Sequence, residues 1–359
     1  MALIADNNIR QNIDHLMTEE SNGMVAVGVI GSGAWGTTLA LLLASKGYQT
    51  TLWEHRPERA CEMQQKRENT LFLPSFPFPS NLLVTNDIAE AVHDRDVLVL
   101  VTPSQRMRDN VRLLAPHVAD HTLLVNASKG IEIGTLKRMT EIIAEELPAA
   151  SARIAALSGP NIAREVAEGK PTAAVIAAYN DEVGIHLRTL FTTQWFRVYT
   201  ADDVIGVELG GALKNIIAIG AGFSDGMGYG ENAKAAFMTR GLAEISRLGV
   251  AAGAKPLTFA GLAGIGDLIA TCASPLSRNQ QLGRRLAGGE KLDDILKSTH
   301  SVAEGVWTTR AALQLAERYH VEMPITRQLS RVLFENLDPR KAVPQLMMRD
   351  PKDELEGIV

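Results

Sequence analysis

The apolar positions follow two patterns, and the change between them divides the chain. Up to about residue 200, short continuous apolar runs alternate with segments of helical period. Met24–Ile30 (MVAVGVI) reads as a buried strand and Ala34–Lys46 (AWGTTLALLLASK) as a helix. Gln49–Trp53 is a second strand. Asp96–Val101 (DVLVLV) and His121–Asn126 (HTLLVN) are strongly apolar and β-branched, as expected of parallel strands buried on both faces. Pro103–Leu114 between them reads as a helix, and Arg153–Leu157 and Thr172–Ala178 as further strands. Alternating strands and helices with short connections predict a doubly wound parallel sheet. The Pro-rich, aromatic stretch 70–80 (TLFLPSFPFPS) predicts a loop that packs on another part of the protein. From about Val204 the strand pattern stops. Residues 204–222, 231–251, 265–274, 303–318 and 323–334 all carry helical apolar faces. Gly210, Gly211, Gly220 and Gly222 cost the first of these helices about 1 kcal/mol each against Ala. That cost points to close helix packing or to close approach of a ligand.

The first strand and first helix are joined by GSGAWG, residues 31–36. Gly31 allows the tight turn, Gly33 lets backbone approach a pyrophosphate, and Gly36 lets helix pack on strand. The helix N-terminus then offers N–H groups to phosphates. The same glycines also occur in ordinary strand-to-helix turns. The strand–turn–helix context favours dinucleotide binding. The predicted fold is an α/β Rossmann-type doubly wound sheet, residues 24–205, followed by an all-α C-terminal domain, residues 206–359. A polar tail, residues 1–23, precedes both.

Composition narrows the class. At 359 residues the chain is long enough for two domains. Hydrophobic content of 46% and charged content of 21% are those of a globular protein. A net charge of −5 gives no basic surface for nucleic acid or acidic lipid. Cys61 and Cys272 lie far apart and form no metal motif, which suggests a reducing compartment. Cys272, in an apolar stretch, reads as an inert core thiol. No apolar run approaches the ~20 residues of a membrane span. The tail carries Asp6, Asp14, Glu19 and Glu20 against Arg10, unlike a transit or signal peptide. A disordered tail and a cytoplasmic location are expected.

Several polar clusters stand against the apolar background. Open α/β sheets bind ligands outside the carboxyl ends of their strands. Ser128-Lys129-Gly130 therefore falls at the ligand edge, although a surface lysine in a turn fits the position equally well. Ser158-Gly159-Pro160-Asn161 precedes a helix from Ile162; it reads first as a cap and second as a substrate border. Lys214-Asn215 sits in the apolar, Gly-rich helix. Burying an ammonium is costly, yet it yields a general acid of lowered pKa. A lysine that snorkels to solvent is the competing reading. Within GLAGIGDLIATCASPLSRNQQLG (261–283), Asp267 and Thr271 share one helix face. Pro275 ends that helix. At Ser277-Arg278-Asn279 a hydroxyl, a guanidinium, an amide and backbone N–H groups can converge on a phosphate. A capped helix with a surface arginine gives the same pattern. Glu304, near another helix start, fits dipole compensation.

In this order the clusters resemble NAD(P)-dependent glycerol-3-phosphate dehydrogenases of the bacterial type, from residue 24 to about 350. GxGxxG alone is shared by many dehydrogenases. The LKN helix together with GDL, TC and SRN is far more specific. The resemblance implies reversible reduction of dihydroxyacetone phosphate to sn-glycerol 3-phosphate, a phospholipid precursor. It makes Lys214 the proton donor and acceptor. It makes Lys129, Gly159, Asn161, Asp267, Ser277, Arg278 and Asn279 substrate contacts. Ala34, Trp35, His55, Lys129, Ala163, Arg278, Val302 and Glu304 match cofactor positions. Asn161 stands where the family often has Ser or Thr, and Ala34 where it often has Ser.

The residues agree with that chemistry. The alkoxide that develops at C2 needs a proton, which Lys214 can give. Lys129 nearby would lower the pKa of Lys214 and stabilise the oxyanion. Asp267 and Asn215 are placed to orient the lysine. The dinucleotide ribose is read at the end of the second strand. There, Glu54 suits an NAD ribose, while His55 and Arg56 offer positive charge to a 2′-phosphate. NADP(H) is the expected cofactor, with NAD(H) also used. A homodimer is expected from the apolar helical domain. A 3-hydroxyacid or ketopantoate-type reductase is the rival enzyme. A non-catalytic NAD(P) redox sensor is the rival outside enzymes, and it would not need Lys214.

Overall fold

The computed structural model describes residues 25–298, 303–351, 353 and 354. The tail expected at 1–23 and the contact expected at Val302 lie outside them. The strands are β1 (Ala26–Ile30), β2 (Gln49–Trp53), β3 (Glu68–Asn69), β4 (Leu73–Pro77), β5 (Leu82–Thr85), β6 (Val97–Leu100), β7 (Leu123–Asn126), β8 (Ile154–Ser158), β9 (Thr172–Ala178) and β10 (Phe196–Ala201). Eight of them form one sheet in the order β10-β9-β8-β7-β6-β1-β2-β5. The apolar runs of β6 and β7 are buried at every position, as strands covered on both faces require. β1 lies between β2 and β6, so the chain leaves it to one side and returns on the other. That reversal opens a crevice at the carboxyl ends of β1 and β6.

The sheet is not parallel throughout, contrary to the sequence expectation. β9 runs antiparallel to β8, and β10 is parallel to β9. The segment from β8 to β9 contains only a five-residue helix, Ala163–Ala167. At ~1.5 Å per residue such a helix rises too little to carry the chain back along a strand before it re-enters. The chain therefore turns at the carboxyl end of β8 and comes back down. Residues 70–80 are also more ordered than a loop. β4 pairs with β3, Phe78 is buried, and Arg59 stacks over the Phe72 ring at 4.6 Å.

The GSGAWG turn leads into helix α1 (Ala34–Ser45). Gly31 has φ +119°, and a Cβ on it would lie 2.5 Å from the Val101 carbonyl oxygen. A Cβ on Gly36 would lie 1.8 Å from the Gly31 carbonyl oxygen. Gly36→Ala should therefore push α1 off β1, lowering Tm and weakening NADPH binding together; overpacking of this kind costs about 1–3 kcal/mol. Unchanged Tm and NADPH affinity would mean the helix moves aside at no cost.

The helical half is built around α2 (Val204–Met227), which is surrounded by α3 (Glu231–Ala251), α4 (Asp267–Ala273), α5 (Arg278–Ala287) and α6 (Glu304–Arg318). With a mean hydropathy of 1.5 over its most apolar window, α2 is long and apolar enough to cross a membrane. This corrects the reading that no run approaches that length. In this fold α2 is the buried axis of the helical half. Its glycines serve packing. Cβ atoms at Gly210, Gly211, Gly220 and Gly222 would strike Ala263, Ser158, Phe237 and Gln280 respectively.

Candidate active site

Three sequence-distant residues meet where the sheet's carboxyl edge faces α2. Lys129 leaves the end of β7, Lys214 projects from the middle of α2, and Asp267 begins α4. Asp267 is buried and bridges the two lysines. Its Oδ1 lies 2.9 Å from Lys214 Nζ and its Oδ2 lies 2.7 Å from Lys129 Nζ. Lys129 also donates to the Gly159 carbonyl at 3.0 Å. Thr271, one turn after Asp267, accepts from Lys214 and donates to Asp267 Oδ1. The i, i+4 spacing read from the sequence thus puts both groups on the lysine.

The electrostatics follow from this arrangement. Burial drives the Lys214 pKa down to about 8, opposed by Asp267 and assisted by Lys129. Burial alone would raise the Asp267 pKa, but the two ammonium groups hold it below the usual carboxylate range. A lysine that titrates near neutral pH can both give and take a proton. The snorkelling alternative does not describe this residue, because Lys214 is buried.

Asn215 turns elsewhere. Its Oδ1 accepts from Asn279 at 2.9 Å, and Asn279 in turn accepts from the Gly305 N–H at 3.1 Å. These bonds tie α2, α5 and α6 together. Ser277 caps α5 by accepting from the Gln280 N–H at 3.3 Å. Arg278, the first residue of α5, is open to solvent in the cleft, and the protein crowded around it lowers its guanidinium pKa. Glu304 opposes that shift. The Glu304 carboxylate accepts from Ser104, at 3.0 Å from its N–H and 2.5 Å from its hydroxyl. Ser104 carries no motif in the sequence. Its one signal there was its place just beyond a strand end.

Asn161 does not cap the helix that follows it. That cap is Ile162, without a side-chain bond, and both amide atoms of Asn161 are buried without a protein partner. The capping reading of this turn is thereby corrected. Ala163 is pinned to α1 through the Thr38 hydroxyl, which donates to its carbonyl at 3.1 Å.

The dinucleotide end is separate from the lysines. Nothing lies within 4 Å of a Cβ placed on Gly33, and no side chain caps α1. Trp35 Nε1 is buried without a protein partner. These features fit a pyrophosphate on the helix N-terminus. At the end of β2, Glu54 is buried and engaged. It accepts from Ser32 at 2.5 Å and from Arg56 Nε at 3.1 Å, and lies 3.0 Å from His55 Nδ1 and 3.6 Å from Arg59. Burial opposes its ionisation, but bonds from Arg56 and Ser32 keep its pKa low. A cavity of about 1170 Å³ in the helical half, between α2, α3 and the Pro324–Phe334 helix, is lined by none of these residues.

A Rossmann-type sheet, an open glycine turn and a Lys–Asp–Lys cluster centred on buried Asp267 against a helical domain define a nicotinamide-dependent dehydrogenase. Profiles described as the N-terminus and C-terminus of NAD-dependent glycerol-3-phosphate dehydrogenase match residues 26–184 and 203–344. The chain is 53% identical over 329 residues to the glycerol-3-phosphate dehydrogenase [NAD(P)+] of Geobacter metallireducens, covering 91% of this chain and 98% of that one. It is 47% identical to the enzyme of the same name from Enterococcus faecalis, covering 92% and 97%. The crystal structure of glycerol-3-phosphate dehydrogenase from Coxiella burnetii matches with a TM-score of 0.87 at 38% identity, covering 91% and 99%. The chain belongs to the NAD-dependent glycerol-3-phosphate dehydrogenase family.

Proposed function

We propose that this protein reversibly reduces dihydroxyacetone phosphate to sn-glycerol 3-phosphate, with Lys214 as the proton donor. The sharing of buried Asp267 by Lys129 and Lys214 carries this reading. When bound, NAD(P)H would supply the hydride that reduces the substrate C2 carbonyl. Lys214 gives its proton to the developing alkoxide, and Lys129 stabilises the negative charge on that oxygen. Asp267 orients both ammonium groups. Arg278, with the N–H groups at the start of α5, holds the substrate phosphate; the Ser277 and Asn279 side chains fix that helix start through their bonds to Gln280, Asn215 and Gly305. Asn161, with its unpartnered amide, contacts the substrate beside Gly159. Residues 24–205 hold the cofactor, with Gly31, Gly33, Gly36, Ala34, Trp35 and Ala163 around the pyrophosphate, and residues 206–359 supply the proton donor and the phosphate clamp. Glu304 and Arg278 face the cofactor from the helical side. A cytoplasmic homodimer that supplies glycerophospholipid synthesis completes the reading.

The test is NADPH oxidation followed at 340 nm with dihydroxyacetone phosphate, against NADH and against ketopantoate. Turnover with the phosphate ester supports the reading; turnover with ketopantoate alone would replace it. A protein that binds NADPH and turns over neither would be the redox sensor.

Cofactor preference rests on the end of β2. Glu54 is occupied by Ser32 and Arg56, so the charge offered to the ribose is that of Arg56 and Arg59, with the His55 ring beside them. NADP(H) is therefore favoured. A charge-assisted contact to a 2′-phosphate is worth roughly 1.5–3 kcal/mol. Arg56→Ala should lower kcat/KM for NADPH by about 10–100-fold and barely change it for NADH. If the NADPH/NADH ratio stays put in Arg56→Ala but shifts toward NADPH in Glu54→Ala, the enzyme is mainly NAD-directed.

A further inference from the structure

Glu208 has no part in the chemistry above, yet it is a buried carboxylate on α2, six residues before Lys214. Its oxygens are fully engaged. Oε1 accepts from Asn126 Nδ2 at 2.9 Å and from the Thr140 N–H at 2.9 Å. Oε2 accepts from Arg138 at 2.7 Å and from the Thr140 hydroxyl. Burial pushes its pKa up, against the pull of Arg138 and Thr140. Two of these partners start the Met139–Glu146 helix, which a carboxylate stabilises well. Asn126 does not belong to that helix. It ends β7, and its own bonds lead toward the site.

Asn126 holds Ser128 by both of its backbone groups. Its Oδ1 accepts from the Ser128 N–H at 2.9 Å and its Nδ2 reaches the Ser128 carbonyl at 3.2 Å. The Ser128 hydroxyl donates to the Thr102 carbonyl at 2.7 Å, which fastens the loop to the end of β6. Lys129 is the following residue. The backbone that launches Lys129 is thus bonded, through one amide, to the helix that carries Lys214. The small space bounded by Asn126, Ser128, Lys129, Ser158 and Glu208 is too tight to admit a water molecule. The Glu208–Asn126 bond and the Ser128–Thr102 bond together hold the loop in place.

We propose that Glu208 is a positioning residue, which through Asn126 fixes the Lys129 loop to α2 and so sets how Asp267 is divided between Lys129 and Lys214. This rests on the reading of Lys214 as proton donor. When the strut is cut, the loop keeps its bond to Thr102, and Lys129 Nζ can shift from Asp267 toward the Gly159 carbonyl it already touches. Lys214 then loses a repelling cation and gains the undivided carboxylate, and both changes raise its pKa. The oxyanion loses Lys129 at the same time. Misplacement of about 1 Å at a reacting centre can cost 10²-fold in rate.

The experiment compares Glu208→Ala, Asn126→Ala and Thr140→Ala in the full chain. Glu208→Ala removes the acceptor of the Asn126 bond. Thr140→Ala removes a bond on the helix-capping side only. Glu208→Ala and Asn126→Ala are expected to lower kcat by about 10–100-fold. They should also move the alkaline midpoint of kcat for dihydroxyacetone phosphate reduction upward, while the NADPH Kd stays within about twofold. Thr140→Ala should lower Tm and leave kcat and midpoint alone. If Glu208→Ala and Asn126→Ala lose only Tm and keep the wild-type kcat and midpoint, Glu208 merely caps a helix and the proposal fails. Where Glu208→Ala does not fold, Asn126→Ala decides. Lys214→Ala separates the two levels. If it retains wild-type kcat, the proton-donor reading has failed. If it is inactive while Asn126→Ala matches wild type, only the positioning role has.

Discussion

Replacing Lys214 with alanine is expected to lower kcat for dihydroxyacetone phosphate reduction by about 10²–10⁴-fold, the range for loss of a positioned general acid. NADPH binding, read by fluorescence, should change little, because the glycine turn and the end of β2 lie at a separate place on the sheet. Lys214→Met keeps the apolar stem without the ammonium and should behave alike, which removes cavity formation as the cause. The pH dependence carries a sign. Lys214 titrates near 8, below the usual lysine range, because burial and Lys129 outweigh Asp267. Reduction needs the protonated amine, so kcat should be full well below pH 8 and fall as pH rises through it. Oxidation of glycerol 3-phosphate needs the neutral amine, so its kcat should rise through the same region. Near wild-type kcat in both variants, or matching pH profiles in the two directions, would leave the lysine a packing role only.

Much of this site is written in local sequence because each part obeys a local rule. GSGAWG needs only a strand before it and a helix after it, and both have strong periodicity. Gly31 and Gly36 meet backbone oxygens just where a side chain would collide, while Gly33 meets nothing. Asp267 and Thr271 share a face because helices repeat, and Ser277 caps because serine caps. Long-range pairing was less legible. That Asn215 would turn to Asn279 rather than to Lys214 depends on how α2, α5 and α6 cross. The reversal of β9 was hidden because Thr172–Ala178 is as apolar as a parallel strand. Its direction is set by the short connection, not by its composition. β10 has no clear signature in the sequence because Arg197 and Tyr199 are exposed on an edge strand and break the continuous apolar run. Ser104 and Glu208 gave no motif. Their roles come from partners 200 and 82 residues away, Glu304 and Asn126.

Arg278→Ala should discriminate between substrates rather than disable the enzyme outright. The guanidinium stands at the first residue of α5, where the helix N-terminus already favours an anion. A bidentate contact to a phosphate is worth roughly 1.5–3 kcal/mol, which converts to about 10–100-fold in kcat/KM for dihydroxyacetone phosphate. Unphosphorylated dihydroxyacetone offers the guanidinium nothing, so its already low kcat/KM should barely move. Arg278→Lys keeps the charge but not the planar fork, and should fall between the two. The fold is expected to tolerate the change, because Arg278 is open to solvent and Glu304 keeps its bonds to Ser104. Melting temperature should confirm that. Equal losses for both substrates would mean that Arg278 acts on the cofactor or on Glu304, and that the phosphate is held elsewhere.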